Sequence, residues 1–177
     1  PGSTREVALP QAGSFKLLGA ESGPAAYDPE VDGGLLGLSD WNHPRQIFQV
    51  HADGRVTNTG LQPQAAVDGA LGGQAPDDLQ ATEVLVPRPD GAQVPMSIVA
   101  KKGVVLDGRN PLLLTGYASY GHTIEPRFSP ARRAWLDRGG VLAFANPRGS
   151  GVYGRAWHEG GKGPTKPNTW RDFIACA

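Results

Sequence analysis

Residues 110–154 read NPLLLTGYASYGHTIEPRFSPARRAWLDRGGVLAFANPRGSGVYG, and the order of features in this stretch decides the fold. Two apolar runs, Leu112-Leu113-Leu114 and Val141-Leu142-Ala143-Phe144-Ala145, each lead into a polar loop that carries glycine. Short continuous apolar runs bounded by turn signals are the pattern of strands buried on both faces. Between them, Ser129-Pro130 offers a helix start. A serine hydroxyl can accept the free amide hydrogens of the first turn, and proline suits the first helical position. Ala131, Ala134 and Trp135 would share one apolar face of that helix, and Gly139-Gly140 would end it after Arg138. A strand, a helix and a strand in this span imply parallel neighbours joined by a right-handed crossover. Loops at the carboxyl ends of such strands are where α/β enzymes present functional groups.

Working outward, Glu83–Val86 and Val94–Ala100 alternate around Pro89-Asp90-Gly91 and read as a hairpin. Downstream, Asn168 is placed to cap a helix bearing Trp170, Phe173 and Ile174, with Cys176 as a core residue inside it. Upstream, the chain changes character near residue 80. Residues 60–80 are rich in Gly, Pro and Gln and read as a linker or crossing segment. Before them lie short runs at Phe15–Leu18, Leu35–Leu38 and Gln46–His51, and Asp53-Gly54 turns the last into Arg55-Val56-Thr57. Short antiparallel strands at this spacing belong to a sandwich, a barrel or a propeller blade, and there are too few to close any of these.

Composition bounds the class. The 177 residues carry 17 basic and 17 acidic side chains, so no general field draws nucleic acid or an anionic surface. The 25 glycines and 16 prolines punctuate apolar runs instead of forming tracts, which marks a globular chain rich in loops. No apolar run approaches the length of a bilayer span, and no signal-peptide pattern is present. The single cysteine allows no internal disulfide, which is compatible with the cytoplasm, a periplasmic or secreted location staying open.

Chemistry-bearing motifs are few. Gly149-Ser150-Gly151-Val152-Tyr153-Gly154 matches the dinucleotide pattern G-x-G-x-x-G, with Asp172 downstream as its acidic residue. That motif needs a real helix after the turn, and Gly160-Gly161-Lys162-Gly163-Pro164 leaves no room for one, so the stretch reads as a structural glycine loop. No serine sits in G-x-S-x-G, so structural roles are expected for all eight. His43, His51, His122 and His158 have no metal-ligand spacing, and His158 reads as a structural hydrogen bonder. No cofactor is expected. Gly116-Tyr117 is the one credible chemical position: the loop after the third strand of a hydrolase sheet supplies an oxyanion donor, and the competing reading is a buried aromatic at a strand end.

Several stretches together resemble the prolyl oligopeptidase family of serine peptidases. They are PDGAQVPMSIVAKKG, LLLTGYASYG, GGVLAFANPRGSGVYGRAWHEGG and KPNTWRDF, in the family's order over most of residues 82–177. The resemblance implies residues 1–80 as the end of a β-propeller, its last blade and linker. Residues 81–177 would be the N-terminal part of an α/β-hydrolase catalytic domain. It implies a serine-type oligopeptidase acting on short peptides, with the Trp157-His158 pair leaning to the prolyl type, and a monomeric parent. Alternatives are an acyl-peptide hydrolase or esterase of the same fold, or a non-catalytic binding module. By the resemblance Tyr117 is the oxyanion-hole residue, while the nucleophilic serine, its aspartate and its histidine lie beyond Ala177. The chain alone is then expected to be inactive.

Overall fold

A computed structural model describes residues 4, 6–18, 32–61 and 77–177. Most of the expected segment 60–80 therefore lies outside the described residues, and its final residues are not linker at all, because a strand begins at Leu79. The described chain forms two compact units, residues 1–76 with 126–129, and residues 77–125 with 130–177.

The first unit is an antiparallel meander of four strands, β1 Ser14–Leu17, β2 Gly34–Ser39, β3 Gln46–Val50 and β4 Val56–Asn58, paired in that order. Leu36, Leu38 and Phe48 alternate inward and form its core, with Val50 and Val56 packed beside them. The Asp53-Gly54 turn forms as the sequence predicts: Gly54 takes φ 88, a left-handed value that suits glycine.

The second unit is a mixed sheet. Strands β5 Leu79–Pro87 and β6 Gln93–Lys101 form the expected hairpin, longer at both ends than the alternating runs suggest. Strands β7 Leu112–Gly116 and β8 Val141–Ala145 run parallel, and the sheet order is β5-β6-β8-β7. All five residues of β8 are buried, as its uninterrupted apolar run implies for an interior strand. Val94, Met96, Ala143, Ala145 and Cys176 form the core, so the core reading of Cys176 holds, and burial pushes its thiol up to about 11.

Three expectations in this unit are corrected. Among the described residues the Leu112–Leu114 run is not buried as expected: β7 has only β8 beside it, with Leu112 at 47% and Leu113 at 53% exposure. Helix α1, Pro130–Leu136, starts where predicted, but Ala131 and Ala134 point outward. Its inner face is Arg132, Arg133 and Leu136: the Arg132 guanidinium lies over the Phe144 ring, and Arg133 pairs both its terminal nitrogens with Asp78. The helix closes in a Schellman motif, with Gly139 N–H donating to Leu136 and Gly140 N–H to Trp135. Trp135 folds back over Gly140, where a Cβ would meet the indole at 2.3 Å.

The third correction concerns the last helices. Helix α2, Arg155–Glu159, is a single short turn, and a 3-10 turn at Gly163–Thr165 leads into α3, Pro167–Ala175. Asn168 does not cap α3. Lys166 holds the cap position with Pro167 just inside, and the Asn168 amide donates instead to the Gly160 carbonyl. The inward residues are Thr169, Asp172, Phe173 and Cys176, at helical spacing, whereas Trp170 and Ile174 are exposed.

Candidate functional site

The carboxyl ends of the two parallel strands open into the two loops that sequence reasoning singled out. At the end of β7, Gly116 is required by packing: a Cβ there would lie 2.6 Å from the Phe173 ring of α3. Tyr117 follows and is 54% exposed, so it is not the buried aromatic of the competing reading. Its ring meets His122 edge to face, with centroids 5.5 Å apart. The backbone then takes a left-handed step at Ala118 (φ 47) and again at Tyr120 (φ 56) and Gly121 (φ 68). Left-handed geometry costs a non-glycine residue roughly 1–2 kcal/mol, so neighbouring contacts must hold the loop there.

Those contacts come from three directions. The loop after β8 lies directly behind: Gly121 N–H donates to the Gly149 carbonyl (3.2 Å), and a Cβ on Gly149 would stand 2.3 Å from the Ala118 oxygen. Gly151 is equally close to the Gly121 carbonyl, which accounts for a second glycine of the G-x-G-x-x-G run. Asn146, the first residue past β8, uses its side-chain amide like a strand backbone. Its Oδ1 accepts from Ile124 N–H (2.8 Å) and its Nδ2 donates to the Ile124 carbonyl (3.0 Å). From α3's cap, Lys166 Nζ donates to the Ala118 carbonyl (2.8 Å) and to Ser119 Oγ (3.0 Å).

The glycine loop is fixed in turn by a charge pair. Asp172 is fully buried, and its carboxylate accepts from Arg148 Nε (2.8 Å), Arg148 Nη2 (2.6 Å) and the Arg148 backbone N–H (3.1 Å). Arg88 Nε lies 3.3 Å from the same carboxylate, an ion-pair distance without a hydrogen bond's geometry. Hydrogen bonding to Asp172 pushes the Arg148 guanidinium further above its ordinary value, and Asp90, at 2.8 Å, adds to it. Asp172 is thus consumed inside the protein and offers nothing to a dinucleotide ribose. The five-residue α2 likewise gives no helix terminus for a pyrophosphate.

His158 Nδ1 donates to the Gly149 carbonyl (2.8 Å), the structural role expected of it. Trp157 Nε1 and Ser150 Oγ both donate to the Asn146 carbonyl. Ser119 is taken by Lys166, and Ser97 donates to Glu83. His43 pairs with Asp40, and His51 bridges Asp32 and Thr57. Ser3 and Ser22 lie outside the described residues. No hydrogen bond among the described residues joins a serine hydroxyl to a histidine ring. Among the described residues no group of three or more His, Cys, Asp or Glu side chains converges as a metal site, and no helix there is long and apolar enough to cross a membrane. Sequence reasoning missed Asn146, Arg148 and Lys166. Arg148 could have been suspected as a cation beside a glycine turn with an acid downstream, but nothing local marks Lys166.

Comparison with known proteins gives the arrangement a context. Residues 126–177 match the prolyl oligopeptidase family. Over 97% of its length the chain is 30% identical to a prolyl endopeptidase of Elizabethkingia miricola, of which it spans 22%. Protease 2 of Moraxella lacunata is 46% identical over 49% of the chain and 13% of that protein. Among solved structures, oligopeptidase B from Trypanosoma brucei with covalently bound antipain matches at a TM-score of 0.81 and 31% identity, covering 97% of this chain and 23% of that one. Prolyl oligopeptidase B from Galerina marginata, bound to a 25mer macrocyclization substrate, matches at 0.77 and 28%, over 93% of this chain and 21% of that one. The chain thus spans about a fifth of the length of these relatives and structures, somewhat less for Protease 2.

Proposed function

We propose that this chain, which belongs to the prolyl oligopeptidase family, contributes the oxyanion side of a serine oligopeptidase active site that cleaves short peptides. The unit that begins at residue 77 is read as the opening part of the α/β-hydrolase domain. The antiparallel hairpin followed by parallel β7 and β8 supports that reading. The unit of residues 1–76 is read as the end of a β-propeller, in keeping with its four-stranded antiparallel meander.

The observation that carries the proposal is the setting of Tyr117. It follows a parallel strand directly, on a loop held in left-handed conformation by backbone packing, with its side chain exposed. A phenol hydroxyl so placed donates a hydrogen bond to the negative oxygen that develops on a scissile carbonyl during nucleophilic attack. Little reorganisation is needed at that moment, because the loop is already fixed. One such donor contributes about 3–4 kcal/mol to the transition state. In this reading the attacking serine and its base come from other parts of the parent protein, in keeping with the lack of a bond between a serine hydroxyl and a histidine ring among the described residues.

Tyr117→Phe in the full-length protein tests this. With a fluorogenic prolyl peptide, kcat is expected to fall by about 10²- to 10³-fold with KM little changed, the signature of a contact made mainly in the transition state. An unchanged kcat would remove Tyr117 from the oxyanion site.

A further inference from the structure

We infer that Lys166 is a positioning residue for Tyr117: its ammonium, held at the cap of α3, fixes the loop that carries the phenol. The inference rests on the oxyanion reading of Tyr117 and adds the group that sets its geometry.

The ammonium has three donors to place, and all three find partners. One goes to the Ala118 carbonyl at 2.8 Å and one to Ser119 Oγ at 3.0 Å. The third side of the group faces the Trp170 ring, whose centroid is 5.2 Å away. Ala118 is the first left-handed residue after Tyr117, and its oxygen is the atom that lies against Gly149. That carbonyl belongs to the Ala118–Ser119 peptide, one residue past Tyr117, so a charge-assisted bond there holds left-handed Ala118 and, through it, the turn that follows the tyrosine. The anchor is built into regular backbone. Lys166 closes the 3-10 turn and opens α3 with helical backbone angles (φ -53, ψ -32), and Pro167 follows it. Its side chain is half-buried, so water competes poorly for the ammonium.

A neutral residue of the same length cannot make these bonds. Without them, the Ala118 carbonyl loses its charged donor, and the turn is held only by the burial of Ala118 and by the Gly121 and His122 amide bonds. The loop can then return to ordinary negative φ, and the phenol moves off the oxyanion position. The defect would be in geometry at the transition state, not in substrate affinity.

The test uses full-length protein carrying Lys166→Met, Lys166→Arg and Ser119→Ala, each alone and combined with Tyr117→Phe. Expected for Lys166→Met is a fall in kcat of about tenfold, the scale of one lost hydrogen bond to a charged group, with KM within about twofold. Lys166→Arg keeps charge and donors and should recover part of the loss, and Ser119→Ala should lose less. In the Tyr117→Phe background Lys166→Met should cost nothing more, because the group it positions is gone. Amide hydrogen exchange over residues 117–123 should quicken in Lys166→Met, most at Gly121 and His122, whose amides are bonded in the closed loop. Unchanged exchange there, or a kcat loss that multiplies with that of Tyr117→Phe, would overturn the role of Lys166 and leave Tyr117 standing. Faster exchange with Tyr117→Phe at full activity would overturn the reading of Tyr117, and the positioning role with it.

Discussion

Replacing Asp172 by alanine should destabilise the α/β unit by about 3 kcal/mol, and the buried carboxylate's surroundings give the reason. The carboxylate is fully buried and accepts three hydrogen bonds, all from Arg148. Removing it leaves two largely buried guanidinium groups, Arg148 at 13% and Arg88 at 17% exposure, without their shared carboxylate. Breaking a buried pair from one side costs about 3–5 kcal/mol, because the remaining charge is neither hydrated nor compensated. Asp90, 2.8 Å from Arg148 and 47% exposed, retains part of the compensation, which puts the expectation at the lower end. Urea denaturation followed by tryptophan fluorescence is a suitable assay, since Trp157 and Trp170 sit on the segments the pair joins. The double variant Asp172→Leu with Arg148→Met should recover at least about 1.5 kcal/mol of the loss, as apolar replacements of buried ion pairs commonly do. A loss below about 1 kcal/mol for Asp172→Ala, or no recovery in the double variant, would refute the claim that this pair is a buried structural charge.

Two further outcomes follow from the same unit. Gly149→Ala must place a Cβ 2.3 Å from the Ala118 oxygen at φ 106, so both strain and overlap oppose it. A loss of about 3 kcal/mol in thermal denaturation, with reduced kcat, is expected, and parent-like stability would rule out the close approach. Asp78 is held at about 2 against an ordinary 3.8, first by hydrogen bonding to Arg133 and then by Lys101. A depressed carboxyl stabilises above its unfolded pKa, so this contribution is present above pH 3.8 and disappears as pH falls toward 2. The shift corresponds to about 2.5 kcal/mol unscreened and about 1 kcal/mol once the partial exposure of Asp78 is discounted. Asp78→Asn should therefore be less stable than the parent at pH 7 and equal to it near pH 2. Equal stability at pH 7 would dismiss the pair.

How much of this was legible depended on which side of each element had a neighbour. The run Val141–Ala145 was readable because every residue is buried and none is polar. The Leu112–Leu114 run looks the same in sequence, yet among the described residues β7 has a neighbour on one side only, since an apolar run records a preference for burial and not the presence of a neighbour. Helix α1 was misread for a different reason. Pattern reading counts arginine as outward, whereas the Arg133 guanidinium is neutralised by Asp78, 55 residues upstream, and the Arg132 guanidinium lies on Phe144. The same rule hid the inward side of α3, where Asp172 occupies a position that an amphipathic pattern assigns to an apolar residue.

The site shows the limit most clearly through Asp172. Its distance from the glycine turn suits a ribose-binding acid and suits a loop-fixing acid equally, and spacing cannot separate the two. What separates them is where the helix begins. With Gly160–Gly163 delaying the helix to Pro167, the carboxylate falls beside the arginine that opens the glycine loop, and its bonds are all taken there. The same late start places Lys166 beside the loop after β7. One short helix thus secures both loops at the carboxyl end of the parallel strands, the glycine loop through Asp172 and the tyrosine loop through Lys166. Glycines at 149 and 151 let the two loops touch backbone to backbone, so displacement of either must disturb the other. That coupling explains why non-glycine residues can hold left-handed angles at Ala118 and Tyr120, and why glycine counting alone does not mark the most constrained part of the chain.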